Sequence, residues 1–307
     1  MTERLKRLLS PTQLLFLAAV LIQFLPTRTD KTGNALYAVG LLVVLELVQI
    51  VLALFLPLHK DYKTWNGVFG VVFAFLGIWT LLTAKLVLIP QDIFKAPDIV
   101  TEQFVKDLPR LLNDLGASMI TITAGYGLAL ATAIPIGLFL GWNAQIGKVS
   151  EHIANFFGSI PPIVFIPYTL ALLPTFKSCS IFVIFITAFF PILSGTMSGV
   201  QNISEQTVSS AKALCVSKPT MLFKILLPAS LPQVFDGCNM GLLLSFILLT
   251  SAEMIGGSSG IGFYIQYYTN FGNFTRIMVG IVFLGTVVTL VTNLVKALEA
   301  HLLRWKK

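Results

Sequence analysis

Apolar runs recur along the chain near 14–26, 35–58, 67–89, 117–141, 153–174, 179–200, 237–255 and 277–298, separated by shorter polar stretches. A helix rises 1.5 Å per residue, so roughly 20 apolar residues cross the hydrocarbon core of a bilayer. The pattern predicts an all-α polytopic membrane protein with about eight transmembrane helices. The first run is short and follows the basic stretch MTERLKRLL, but it ends at FLPTRTD without the small-residue pattern of a cleavage site. It is read as a retained helix.

The character of the runs changes near Trp65. The two before it are plain Leu/Val segments, of the kind that face lipid, whereas those after it carry Gly, Pro, Ser and Thr throughout. This divides the chain into an N-terminal pair of spans, residues 1–64, and a working unit, residues 65–307. Between the third and fourth runs, PDIVTEQFVKDLPRLLNDLG sets Phe104, Leu108, Leu111, Leu112 and Leu115 on one helical face, with Lys106, Asp107, Arg110, Asn113 and Asp114 largely elsewhere. That spacing predicts a separate amphipathic helix on the outer membrane surface, serving either packing or contact with an external partner. Three small-xxx-small pairs, Gly137 with Gly141, Gly195 with Gly199 and Gly237 with Gly241, mark places where helix backbones can approach closely. In the fifth run, Pro161, Pro162, Pro167 and Pro174 cannot all lie in one regular helix. Backbone broken in this way lines a cavity or kinks for packing.

Composition agrees with the pattern: 55% of residues are hydrophobic, only 11% are charged and mean hydropathy is +0.83, whereas a soluble domain carries about 25% charge. Placing the N-terminus in the cytoplasm puts Arg4, Lys6, Arg7, Lys60, Lys63, Lys148, Lys212, Lys218, Lys224, Lys296, Arg304, Lys306 and Lys307 inside. It leaves Arg28, Lys31, Lys95, Lys106, Arg110, Lys177 and Arg276 outside, with Lys85 in a span. The excess inside predicts that both termini are cytoplasmic. The same asymmetry and attraction to anionic lipid explain the net charge of +7 without invoking nucleic acid. Cys179, Cys215 and Cys238 have no metal-like or paired spacing, and neither do His59, His152 and His301. No metal, cofactor or catalytic constellation is expected.

One stretch interrupts the apolar pattern in an ordered way. SSAKALCVSKPTMLFKILLPASLP, residues 209–232, reads as two short helices: Val208, Ala211 and Leu214 recur on a small-residued face, VSKP ends the first helix, and Pro219 opens a second that stops before Pro228. This stretch resembles the EAA loop of binding-protein-dependent ABC importer permeases, Glu-Ala-Ala, three residues, Gly, nine residues, Ile-x-Leu-Pro. The alanine positions fall on Ser210 and Ala211, and Ile225, Leu227 and Pro228 match the closing motif. Ser209 stands at the glutamate position and Cys215 at the glycine position, the latter a costly exchange wherever the turn needs a positive φ. FFPILSGTMSGV at 189–200, TSAEMIGGSSGIGFYI at 250–265 and GYGLALATAIPIGLFLGW at 125–142 are similar to the nitrate, sulfonate and bicarbonate branch of those permeases. The similarity covers roughly residues 67–300 and departs at Leu173-Pro174, where the branch has Phe-Gly.

The resemblance implies a six-helix permease core of the type I (MetI-like) ABC importer kind, carrying two extra N-terminal helices. It implies a path formed by two copies, or by this chain with a homologue, in a cell membrane. Loop 203–232 would couple to a separate cytoplasmic ATPase, and an extracytoplasmic binding protein would deliver the solute. The chain itself has no phosphate-binding loop: GWNAQIGKVS has one residue too many between its glycines, and Val149 follows the lysine. Glu253, with Gly256 and Gly257, is the candidate outer gate, the carboxylate either meeting solute or tying the glycine-rich segment through backbone N–H groups. Candidate path residues are Thr121, Thr123, Tyr126, Thr187, Ser194, Asn239 and Ser245, whose hydroxyls have their own helix carbonyls as competing partners. Glu46 is mid-span, where it pairs with Gln49 or stays protonated; depth argues against a contact with Lys85, which can reach outward. With Lys85 the sole intramembrane cation, a neutral or aromatic solute is favoured over a small oxyanion. The rival is an ion-coupled secondary transporter, which would need a midplane acid or cation site, often with inverted repeats; no repeat is visible.

Overall fold

A computed structural model describes residues 10–28, 33–55, 61–90 and 92–304. Arg4, Lys6, Arg7, Lys31, His59, Lys60, Lys306, Lys307 and the side chain of Lys63 lie outside the described set. Every regular element in that set is helical: α1 Pro11–Gln23, α2 Ala35–Phe55, α3 Asp61–Thr80 with a π-helical turn Leu81–Lys85, α4 Pro97–Trp142, α5 Ala144–Gly158, α6 Phe165–Leu172, α7 Phe176–Gln201, α8 Glu205–Ala213, α9 Lys218–Gly256, α10 Ile261–Asn270 and α11 Phe274–Leu302.

Six of these helices are long and apolar enough to cross a membrane, within 35–53, Thr64–Lys85 and the four helices α4, α7, α9 and α11. The bent pair Gln145–Gly158 and Pro162–Leu172, which turns by 64°, makes a seventh if read as one broken span. The eight runs are therefore not eight long helices. With 13 residues, α1 is about 20 Å long and falls short of the hydrocarbon thickness. The prolines have the expected effect on the fifth run: α5 ends at Gly158, Pro162–Val164 forms one 3-10 turn, and α6 starts in a new direction.

A second departure concerns residues 97–116. They form no separate surface helix but the first part of a continuous 46-residue α4, which runs through Pro109 and Gly116. Its acids, which read as water-facing, are engaged with protein. Asp107 is buried and accepts from Arg276 Nε at 2.8 Å, and Asp114 accepts from the Gly260 N–H at 3.4 Å, while the supposedly apolar-face Leu112 is exposed. Helical continuity wins because the polar residues find partners in the fold instead of water. The coupling stretch behaves likewise. Its second helix does not stop before Pro228; α9 runs on through a π-helical turn at Met221–Leu226 into the next span. Pro228 crowds the carbonyl four residues back, and the wider π turn contains that residue, Lys224.

The chain separates into two compact units. The first comprises residues 1–110 and 267–281. Its core is Ala19, Leu42, Phe69 and Phe73 from α1, α2 and α3. Polar ties run between these helices: Gln23 Nε2 donates to Thr80 Oγ1 at 2.9 Å, and Gln49 Nε2 donates to Asn66 Oδ1 at 2.8 Å. Lys85 does not reach outward. It is buried and donates to the carbonyls of Gln23 and Leu25, so a cation sits at the C-terminal end of α1, where exposed carbonyls favour it. Gln49 is turned to Asn66, and Glu46 Oε2 has no hydrogen-bond partner among the described residues.

The second unit comprises residues 111–266 and 282–307. Here α7 packs most extensively on α9, and the glycine pairs lie on the contacts. A Cβ on Gly195 would stand 2.7 Å from the Gln233 carbonyl oxygen, and one on Gly237 would stand 2.6 Å from that of Pro191. Gly137 of α4 is equally closed, against Thr196 at 2.7 Å. Backbones approach this closely only where no side chain intervenes. Ala129, Ala133, Ala188, Ile192, Met197 and Val234 form the surrounding core.

Candidate coupling site and gate

The coupling stretch is built from α8 outward. Ser204 caps the helix, its Oγ accepting from the Thr207 N–H, and Glu205 and Lys212 stand at the ends where the helix dipole favours their charges. Ala211, only 5% exposed, packs with Leu138, Val200, Met221 and Leu226, flanked by Val208, Ile225 and Leu227. The small residue at 211 thus seats α8 on its own chain. The opposite side is open: Ser209, Ser210 and Cys215 are exposed, and Leu214 is 78% exposed, off the face that spacing assigned it to. Cys215 has φ 50, in the left-handed region where the glycine of the motif costs nothing. Two cavities flank α8, one of about 650 Å³ bounded by Ser204, Thr207, Ile225 and Pro228, the other of about 490 Å³ bounded by Trp142, Lys148, Ser209 and Lys212.

At the other end of α9, Glu253 is buried and held on both oxygens. Ser118 Oγ donates to Oε1 at 2.7 Å and the Gly262 N–H donates to Oε2 at 2.8 Å. Ser118 in turn accepts from the Ile261 N–H at 3.0 Å. The glycines make room for this arrangement. Gly260 has φ +110, and a Cβ there would overlap the Glu253 carboxylate, while one on Gly256 would stand 2.8 Å from the Phe176 ring. Gly257 packs on the Glu253 backbone and, with Thr121, Lys177 and Ser258, lines a pocket of about 130 Å³ beside the carboxylate. Sequence reasoning named the acid and the glycines but missed Ser118; the signal available was its position four residues after Asp114, on the same face of α4.

The candidate path residues do not come together in one place. Thr121, Thr187 and Ser245 are buried, and each hydroxyl donates to its own helix, to the carbonyls of Ala117, Val183 and Gly241. Tyr126 and Asn239 tie helices, through Tyr126 Oη to the Cys238 carbonyl and Asn239 Nδ2 to Glu299 Oε2, both at 2.9 Å. Thr123 is exposed. Thr121 borders the small pocket beside Glu253, and Ser194 lines a separate cavity of about 500 Å³ whose wall also holds Asp236, a residue overlooked in the sequence. A lone acid inside an apolar helix costs about 2.5–3.5 kcal/mol to insert, and that was the missed signal.

An all-helical chain with several spans, close-packed through glycines and presenting an exposed short helix between two of them, has the build of a membrane permease. Residues 133–304 match the profile of the binding-protein-dependent transport system inner membrane component, and the chain belongs to that family. It is 31% identical over 229 residues to a nitrate import permease protein of Leptolyngbya laminosa, covering 73% of this chain and 82% of the relative. It is 32% identical over 191 residues to a bicarbonate transport system permease protein of Synechococcus elongatus, covering 61% and 68%. These relatives match the branch expected from the sequence. The fold resembles that of the methionine ABC transporter MetNI in an inward-facing form, with a TM-score of 0.56 at 19% identity over 64% of this chain and 98% of that one. The family consists of multi-pass transport permeases of ABC importers rather than enzymes, and membership displaces the secondary-transporter reading.

Proposed function

We propose that the chain is the transmembrane subunit of an ATP-driven importer, coupled through loop 203–232 to a separate cytoplasmic ATPase and supplied by an extracytoplasmic solute-binding protein. Residues 65–307 form the permease domain, paired with a second copy or a homologous permease, and residues 1–64 are an addition to it. Both termini lie in the cytoplasm, in keeping with the Lys/Arg asymmetry. Ser209, Ser210, Cys215 and Leu214 face the ATPase, Ala211, Ile225, Leu227 and Pro228 hold the loop in place, and Glu253, Gly256 and Gly257 form the outer gate. The observation that carries this reading is α8 itself: a capped helix seated by Ala211, with an exposed leucine at its end and a cavity on each side. Closure of the ATPases on ATP would move α8, and the continuous α9 would carry that motion to Glu253 at its far end.

The test is co-purification from native membranes. Because Ala211 is buried, Ala211→Arg would damage the seat as well as the docking surface, so the informative variant is Leu214→Glu. The unmodified chain is expected to bring down an ATPase subunit and the variant to lose it while remaining in the membrane. Equal recovery from both removes the coupling assignment.

A further inference from the structure

The cavity that contains Ser194 lies between the end of α5, the middle of α7 and α9. Its volume of about 500 Å³ is that of a small-molecule site. Asp236 is exposed there, and no cation among the described residues lies within salt-bridge distance of it. The hydroxyl of Ser194 and the side-chain amide of Asn155, on the same wall, make no hydrogen bond among the described residues. The apolar part of the wall includes Phe190, whose ring stacks on Phe157 with centroids 6.1 Å apart and 8° between planes, and meets Phe189 edge-on. Asp236 stands seventeen residues before Glu253 on the same helix, roughly 26 Å away, and eight after Pro228, so the cavity lies toward the coupling end.

A carboxylate at membrane depth, open to a cavity and lacking a partner, repels an anion and attracts a cation or a strong N–H donor. An aromatic wall beside it favours both ring stacking and positive charge. We propose that this cavity is a solute site and that the solute is a small organic cation with a flat apolar part, its charged N–H group on Asp236 and its ring against Phe190. This rests on the permease reading, and it separates the chain from relatives that import nitrate or bicarbonate.

The test uses the full chain in nanodiscs, with benzylammonium, benzoate and nitrate as probes and saturation-transfer NMR as the readout. Benzylammonium is expected to bind saturably, to bind about tenfold or more weakly to Asp236→Asn, and to retain affinity for Asp236→Glu; benzoate and nitrate are expected not to bind at the same concentrations. Benzylammonium binding unchanged in Asp236→Asn, no saturable benzylammonium binding, or preference for either anion overturns the proposal. ATPase recovery through α8 is measured independently. A chain that keeps its ATPase yet prefers nitrate therefore loses only this inference, whereas failure of the unmodified chain to recover an ATPase removes the ATPase-coupled reading and leaves the binding result standing on its own.

Discussion

Ser118 and Glu253 meet at 2.7 Å, the serine hydroxyl donating to the carboxylate while it accepts the Ile261 N–H at 3.0 Å. One small side chain on α4 thereby joins the end of α9 to the start of α10. Removing it in Ser118→Ala leaves a buried N–H and a buried carboxylate oxygen short of a partner, a loss of about 1–3 kcal/mol. Chemical unfolding of the detergent-solubilised chain checks this, and unchanged stability would show that the contact is incidental.

Gly260→Ala should be worse than Ser118→Ala. It forces a side chain into φ +110 and onto the Glu253 carboxylate, so strain of about 1–3 kcal/mol adds to loss of the cradle. Comparing the two variants in one unfolding series gives the order. Gly260→Ala as the milder change contradicts the cradle.

Cys215→Gly should stabilise the chain by up to about 1 kcal/mol. Cys215 is exposed and has φ 50, so glycine relieves backbone strain without removing packing, although a freer unfolded chain offsets part of the gain. Urea unfolding of the purified variant reads the difference; a destabilised variant would mean that the thiol makes a contact worth more than the strain.

The close approach of α7 and α9 distinguishes glycines that look alike in the sequence. Gly195→Ala and Gly237→Ala press a methyl onto backbone carbonyls and should cost about 1–3 kcal/mol each, whereas Gly127→Ala on α4 meets nothing within 4 Å and should be neutral or mildly stabilising. Thermal unfolding of the three variants checks this. Equal effects would contradict the packing.

The contrast between Gly127 and Gly195 also marks how much could be read from the sequence. The apolar runs located the long spans, the prolines at 161–174 located the break, and the small-xxx-small spacing located the α7–α9 contact. Each of these signals lies within one segment. What failed was pairing across segments: Asp107 and Asp114 read as a wet helix face, and Ser118 was missed, because their partners Arg276, Gly260, Ile261 and Glu253 lie more than 130 residues away. Lys85 was misplaced for the same reason, since its acceptors are backbone carbonyls that no residue type announces. Ala211, read as part of the coupling motif, is buried and seats α8 on its own chain, and its exposed neighbour Leu214 takes the outward position.

The central claim is that α8 touches an ATPase, and the direct measurement is photo-crosslinking in native membranes from Leu214→benzoylphenylalanine, with Leu290→benzoylphenylalanine as the control on an exposed position of α11. A crosslink from position 214 to a cytoplasmic ATPase subunit, absent from position 290, is the predicted result. No ATPase adduct from position 214, or one equally strong from position 290, would contradict it.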